Sequence, residues 1–437
     1  MTINNDTLNF LNLKDTDVEE CDSTTEGNTL FLNVVLKRKE HQCPSCNHKT
    51  NTIKDYSIKI INHSIFNDGR VAKIRYKQRR YICKFCKKSF IEDNPFTKIM
   101  DKVSKLVINT IIEKLKDPNI TYSNVAKELN VTITTVQNIF DENVKYKRRK
   151  FPTYLCIDEF HCSNANPLTR YSCFFLDFER NLVIDVIKSR RKDYLANYLT
   201  KIPLEERQMV EHVCIDMWPT YKEISTLYFP NALISVDSFH VVKDIQIHLD
   251  SIRKRIMSKF SPNSKEYYLL KKYNWLLFKP HSEIEYNEPK YNRKLEYYVN
   301  HIQILESILK ISKELNDAYE WKEKYSRFNK KCNYETAEED LRQLIIDLEH
   351  LKLLEFEPVL KTLKFWSKEI INSFIKYPDV GRIHNGKIEN RNNVNKKLQK
   401  VSNGITNFER YRNRIFLCIN GKKKRDKLMS LLHPVEL

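Results

Sequence analysis

Two sets of residues in this chain have the types and spacing for metal chemistry. The first is built on thiols: Cys43-Pro-Ser-Cys46 and Cys83-Lys-Phe-Cys86, separated by residues 47–82. Paired CxxC units at strand tips let four thiolates converge tetrahedrally, as zinc requires in structural sites. All four positions would be filled, which leaves none for an activated water. His41, His48 and His63 stand near enough to substitute, but two intact pairs make that unnecessary.

The second set is built on carboxylates. Asp158 closes the apolar run Tyr-Leu-Cys-Ile, and Asp216 closes His-Val-Cys-Ile. On neighbouring strands of one sheet their side chains would meet at its carboxyl edge, and a divalent cation resolves the repulsion. Glu389 sits in GKIENRNNVNKKL; residues 386–414 hold eight Lys or Arg (387, 391, 396, 397, 400, 410, 412 and 414) against Glu389 and Glu409. A carboxylate that opposes its surroundings is either an internal salt bridge or a metal ligand. Beside two strand-end aspartates, it reads as the third oxygen ligand. Oxygen-only coordination favours Mg²⁺ or Mn²⁺. Two such ions about 3.5–4 Å apart can activate an attacking oxygen and stabilise a leaving one in phosphoryl transfer. Glu159 rivals Asp158, but strand alternation sends adjacent side chains to opposite faces, so only one of them should be a ligand. Asp237 and His240, in VDSFH, also fall near a strand end, either supporting the carboxylates or touching a substrate.

These residues need a scaffold, and the chain changes grammar several times to supply one. Residues 1–28 are polar and acid-rich and read as a flexible N-terminus. From 29 to 98, β-prone runs such as TLFLNVVLK and VAKIRYKQRRYIC alternate with polar turns, which predicts a small β domain carrying the zinc knuckles. Residues 99–145 predict a helix followed by a helix-turn-helix, with Ala126, Leu129, Val131, Val136 and Ile139 at core spacing. Thr134, Thr135, Gln137 and Asn138 would then face a major groove. Over 151–245 the order is three strands, helix, strand, helix, strand, helix, that of a ribonuclease-H-like α/β core. Residues 246–380 read as an all-helical insertion. The core resumes over 381–420 with the helix bearing Glu389, and 421–437 form a C-terminal tail.

The net charge of +19 over 437 residues, with 75 Lys or Arg against 56 acids, points to a polyanionic partner, most commonly nucleic acid. Asn392, Asn393 and Lys396 share a helix face with Glu389. With Arg410, Arg412 and Arg414, they are candidates for contacts along a DNA backbone. Hydrophobic content of 41% suffices for several cores, so global disorder is not expected. No apolar run reaches bilayer length and the start lacks the pattern of a signal peptide, so a cytoplasmic protein is expected, without a membrane partner. There the eleven cysteines are thiols or metal ligands rather than disulfides. Only six glycines occur, in neither GxxxxGK nor GxGxxG order, which excludes a P-loop or Rossmann nucleotide site.

Taken together, CPSC…CKFC, the helix-turn-helix, CIDEF, YSCFFLDFERNLVIDVIKSR, CIDMWPTY, FPNALISVDSFHVVK and GKIENRNNVNKKLQKVSNGITNFERYRNRI resemble bacterial insertion-sequence transposases of the DDE type, the ISL-three family. The resemblance extends from about residue 40 to 420. It implies that Asp158, Asp216 and Glu389 are the catalytic triad, with Asp237 and His240 on the family's Asp-x-Phe-His motif. It also implies metal-dependent cleavage at inverted-repeat ends, strand transfer into target DNA, and a homodimer or higher assembly on DNA, associated with the nucleoid. Two departures stand out: Cys156 and Asn390 replace glycines of the family pattern. The rival reading is a zinc and helix-turn-helix DNA-binding regulator whose transposase-like domain is catalytically degenerate.

Overall fold

The computed structural model describes residues 5–65, 70–97, 102–162, 170–401 and 407–420. The expected tail 421–437 lies outside them. The chain divides into two contact units, residues 1–147 with 394–437, and residues 148–393.

The first unit begins with helix α1 (Asn5–Leu11) and strands β1 (Val18–Glu26) and β2 (Thr29–Leu36). A short ribbon follows, β3 (His41–Gln42) with β4 (Lys49–Thr50), and then the long strands β5 (Ile53–Ile65) and β6 (Val71–Ile82) and the short β7 (Ser89–Ile91). The sheet runs β1-β2-β6-β5, with β7 on β6. The expectation of a flexible N-terminus is corrected here. Leu8 and Leu11 of α1 and Val18 and Cys21 of β1 are buried in the same core as Leu32, Ile74 and Tyr76. The acidic side chains that suggested a loose segment flank those apolar ones, and an irregularity between Val18 and Glu20 lets Val18 and Cys21, three residues apart, both be buried.

Helices α2 (Lys105–Lys114), α3 (Tyr122–Glu128) and α4 (Ile133–Asn143) complete this part. Each starts at a hydroxyl cap: Ser104, Thr121 and Thr132 accept from the backbone N–H three residues on. Such caps are worth about 1 kcal/mol apiece. Between α3 and α4, Asn130 takes a left-handed conformation at φ 49°, which Asn tolerates better than most residues.

In the second unit, β8 (Tyr154–His161), β9 (Tyr171–Asp177) and β10 (Leu182–Ile187) form an antiparallel meander. Helices α5 (Lys192–Leu199) and α6 (Leu204–Gln208) lead to β11 (His212–Ile215), and α7 (Pro219–Tyr228) leads to β12 (Leu233–Val236). Both later strands run parallel to β8, giving the order β10-β9-β8-β11-β12. These strands are buried on both faces, which explains their near-continuous apolar runs.

The insertion departs from the expected all-helical form. Helix α8 (Ser238–Met257) crosses the expected boundary without a break, and α9 (Lys265–Lys272) and α10 (Trp275–Phe278) follow. An antiparallel ribbon then appears, β13 (Lys290–Asn292) with β14 (Tyr297–Val299). It is too short and tyrosine-rich to show a clear period of two. Helices α11 (His301–Leu309), α12 (Lys313–Lys331), α13 (Ala337–Leu351), α14 (Glu357–Phe365) and α15 (Ser367–Asn372) precede a second ribbon, β15 (Lys376–Tyr377) with β16 (Gly381–Arg382). One apolar core runs from the sheet into these helices and includes Ile157, Ile215, Val241, Leu315 and Trp321.

Helix α16 (Gly386–Val401) gives its first half to this unit, and α17 (Phe408–Asn420) belongs to the first unit. The stretch 381–420, expected to be one block of the core, is therefore divided at residue 393. The reason is the burial of α17 within the first unit: Arg414 donates to the carbonyls of Asp117 and Ile120, and Cys418 to that of Leu115. Among the described residues, no helix is long and apolar enough to cross a membrane.

Candidate functional sites

The four cysteines come together from two copies of one local turn. The N–H of Cys43 donates to the carbonyl of His48, and that of Asn47 to the carbonyl of Cys43; Cys83, Lys88 and Lys87 repeat the pattern. Asn47 and Lys87 hold φ of 58° and 60° at equivalent places. The four sulfurs lie within 4.8 Å of one another. Cys43 Sγ is 3.6 Å from Cys86 Sγ, and Cys46 Sγ is 3.6 Å from Cys83 Sγ. A Zn–S bond of 2.3 Å in a tetrahedron implies sulfurs about 3.8 Å apart, so the cradle fits zinc. The backbone N–H of Cys86 holds the Cys83 thiol down at about 6, towards the thiolate a metal needs. His48 stacks on Phe85 at 4.0 Å, and buried His63 pairs with Ser104, so neither is required as a ligand.

Sheet register brings the aspartates together. Parallel pairing sets Ile157 against Ile215, and Ile215 against Val236. The next residues on the three strands are Asp158, Asp216 and Asp237, a row along one carboxyl edge. Asp158 is 7% exposed. Burial raises the pKa of Asp158, and the neighbouring Asp216 raises it further; burial also raises Asp216. Asp237 caps α8, accepting from the N–H of Phe239. That helix carries His240, whose Nδ1 is 3.4 Å from Asp216 Oδ1 and 4.0 Å from Asp237 Oδ2. Glu159 faces away and pairs with Arg190, as strand alternation requires.

The start of α16 is docked onto this edge by side chains. Asn385 donates to Asp216 Oδ1 at 2.8 Å and to the carbonyl of Ile157 at 3.2 Å. Asn392 donates to Asp158 Oδ2 at 2.7 Å. Lys387 reaches the carbonyl of Phe178 and lies over its ring, and Arg391 holds Asn181. A Cβ at Gly386 would come within 2.8 Å of the exposed His384 ring, which would have to turn aside. Cys156 points its sulfur at the His384 carbonyl at 3.7 Å. Glu389, one turn before Asn392, is exposed, as is Asn390. Among the described residues, the cysteine quartet is the only group of three or more potential ligands within 4.8 Å of one another, so Glu389 does not close onto the aspartates.

The edge nonetheless suits a divalent cation. His240 Nδ1, Asn385 Oδ1 and Asn392 Oδ1 are buried without a hydrogen-bond partner. Such atoms cluster where a charged ligand or its water completes the shell. Asn385 was missed in the sequence: its place directly before Gly386 suggests only a helix cap, whereas its Oδ1 caps nothing and its amide holds Asp216.

Other expected contacts are distributed differently. Thr134 and Asn138 are exposed on α4, while Thr135 and Gln137 are half-buried. The Thr135 hydroxyl is bonded to that of Thr132. Thr135 and Asn138 border a cavity of about 560 Å³ with Asn62 and Glu142. Asn393 and Lys396 are exposed on α16. The three arginines of α17 have protein partners for their guanidinium groups. Arg410 grips both oxygens of Asp141, Arg412 bonds the Tyr146 carbonyl, and Arg414 is 1% exposed.

The family model of the ISL3 DDE transposases, described as transposase, matches residues 155–415. No curated protein matches the chain.

Proposed function

The chain belongs to the ISL3 family of DDE transposases, and we propose that it binds the inverted-repeat ends of an insertion sequence and cuts and joins DNA there through Asp158, Asp216 and Glu389. The observation that carries this reading is the pairing of Asp158 with Asp216 at adjacent parallel strand ends, each gripped by an asparagine of the segment that bears Glu389. The three carboxylates would hold Mg²⁺ or Mn²⁺. When bound, such ions acidify an attacking water or 3′-hydroxyl and neutralise the leaving oxygen.

The protein's own part is positioning. Asn392 bonds the Asp158 carboxylate and Asn385 that of Asp216, which restrains both side chains at the strand ends. His240 borders Asp216 and can donate to a non-bridging phosphate oxygen or steady the carboxylate. Cleavage and strand transfer are both in-line displacements that differ only in the nucleophile, so one carboxylate edge serves both. The cysteine quartet holds structural zinc, and with α3 and α4 it forms the reader of end DNA, Thr134 and Asn138 being the exposed side chains of α4. Two ends must be joined, so the working form is a dimer or larger assembly on DNA, in the bacterial cytoplasm at the nucleoid.

The test is cleavage of duplex bearing the element's terminal repeats against random duplex of equal length, with Mg²⁺. Repeat-dependent cleavage is expected. Equal cleavage of both would make the protein a general nuclease. Repeat binding without cleavage would make it a regulator with a degenerate catalytic domain.

A further inference from the structure

The ribbon β13–β14 lies in the insertion, within the second unit, and its composition suits one kind of partner. A cavity of about 440 Å³ beneath it is bordered by Lys272, Lys290, Arg293 and Lys294, by three tyrosines, and by no carboxylate. Lys290 and Arg293 have no ion-pair partner among the described residues, and Lys294 feels the charge of Glu296 without a close bond, Glu296 being bound to Lys265. Cations left unpaired around a hollow attract a polyanion.

The ribbon also exposes aromatic rings. Tyr291 and Tyr298 are directly opposed in the ribbon, 5.4 Å apart and edge to face. They are 54% and 68% exposed, and Tyr286 nearby is 65% exposed. The platform beneath is rigid. Asn292 is buried, donates to the Tyr273 hydroxyl, and accepts from the N–H groups of Lys294 and Leu295, which closes the turn. Leu295 and Val299 anchor the ribbon in the core. Exposed rings held this firmly are not a loose surface.

We propose that this ribbon and its cation-lined hollow form a binding site for unpaired, single-stranded DNA, with bases stacked on Tyr291 and Tyr298 and phosphates held by Lys290, Arg293 and Lys294. The inference rests on the reading that the protein acts on DNA. The choice of single strand follows from the rings: bases in a duplex are already stacked on one another and offer only edges and phosphates. Exposed ring faces gain affinity only from bases that have left the helix. Strand cleavage and transfer create such bases at the ends being processed.

Fluorescence anisotropy of the full chain decides it, with labelled oligothymidine and a random duplex of equal length, both without divalent metal. Tyr291→Ala with Tyr298→Ala is expected to weaken oligothymidine binding roughly 10-fold or more. Duplex binding should stay within about 2-fold, and Tyr291→Phe with Tyr298→Phe should retain wild-type affinity. Lys290→Ala with Arg293→Ala and Lys294→Ala should lower oligothymidine binding and flatten its salt dependence. Equal losses on both probes would show a general phosphate patch and overturn the proposal. No loss on either probe overturns it too, and a changed oligomeric state in the tyrosine variant would assign the ribbon to a second copy instead. Loss of oligothymidine binding with end cleavage intact would still support this site, whereas repeat-independent cleavage would refute only the end-specific function.

Discussion

The two metal-type sites of this protein are built in opposite ways. The cysteine quartet draws its ligands from two short turns, each fixed by its own backbone hydrogen bonds, and the four sulfurs already lie at zinc spacing. The carboxylate edge draws on two strand ends and a helix distant in sequence, and it remains open, with Glu389 exposed and three buried polar atoms unpartnered. A closed site of soft ligands serves folding. An open one of hard ligands, under electrostatic tension, leaves room for a substrate.

The strongest way to break this contrast is to remove one ligand from each site. Cys43→Ser should lower bound zinc from one per chain to none, measured by elemental analysis, and abolish the cooperative melting of the β domain. Zinc binding in small structural sites contributes about 10–16 kcal/mol. Asp158→Asn should have the reverse effect on stability. Burial and Asp216 raise the Asp158 pKa, so the metal-free folded state takes up a proton more readily than the unfolded chain. Its contribution is therefore favourable in acid and is lost as pH rises above the ordinary carboxylate range. At pH 8 without metal, Asp158→Asn should stabilise the second unit by about 1–3 kcal/mol, read by denaturant melting, while abolishing cleavage.

His212 sharpens the same comparison from the acid side. It lies on β11 four residues before Asp216, buried between Tyr377 and Ser235, and burial lowers its pKa to about 4. The folded state resists its protonation, so stability present above pH 6.5 falls as pH drops towards 4, by up to about 3 kcal/mol. His212→Gln should flatten that limb in melts across this range. A smaller effect is expected at Arg414. Arg414→Met should destabilise the first unit by about 1–3 kcal/mol through the unpaired carbonyls of Asp117 and Ile120, without altering the salt dependence of DNA binding.

These sites differ equally in how far the sequence reveals them. CxxC pairs are legible because their geometry is local. Asp158 and Asp216 are legible because an apolar run that ends in an acid signals a buried strand end, and the order of strands and helices then places the two side by side. Asn385 and Asn392 were not, since their roles depend on how α16 docks. Asn392 was placed on the face of Glu389, but its bond to Asp158 could not be read from that spacing. The protein partners of the α17 arginines were not legible, because positive charge in a sequence does not reveal which carbonyls and carboxylates will surround it. The N-terminal strand misled for the converse reason, its acids hiding the few apolar residues between them.

The central claim is that Glu389 completes the carboxylate edge when metal and DNA are bound. Cleavage of terminal-repeat DNA by Glu389→Gln, at saturating Mg²⁺ and with repeat binding verified, tests it most directly. A fall of roughly 100-fold or more in cleavage rate with unchanged repeat affinity is expected. Cleavage at the wild-type rate would contradict the assignment and leave Glu389 as an ordinary charge on a basic helix.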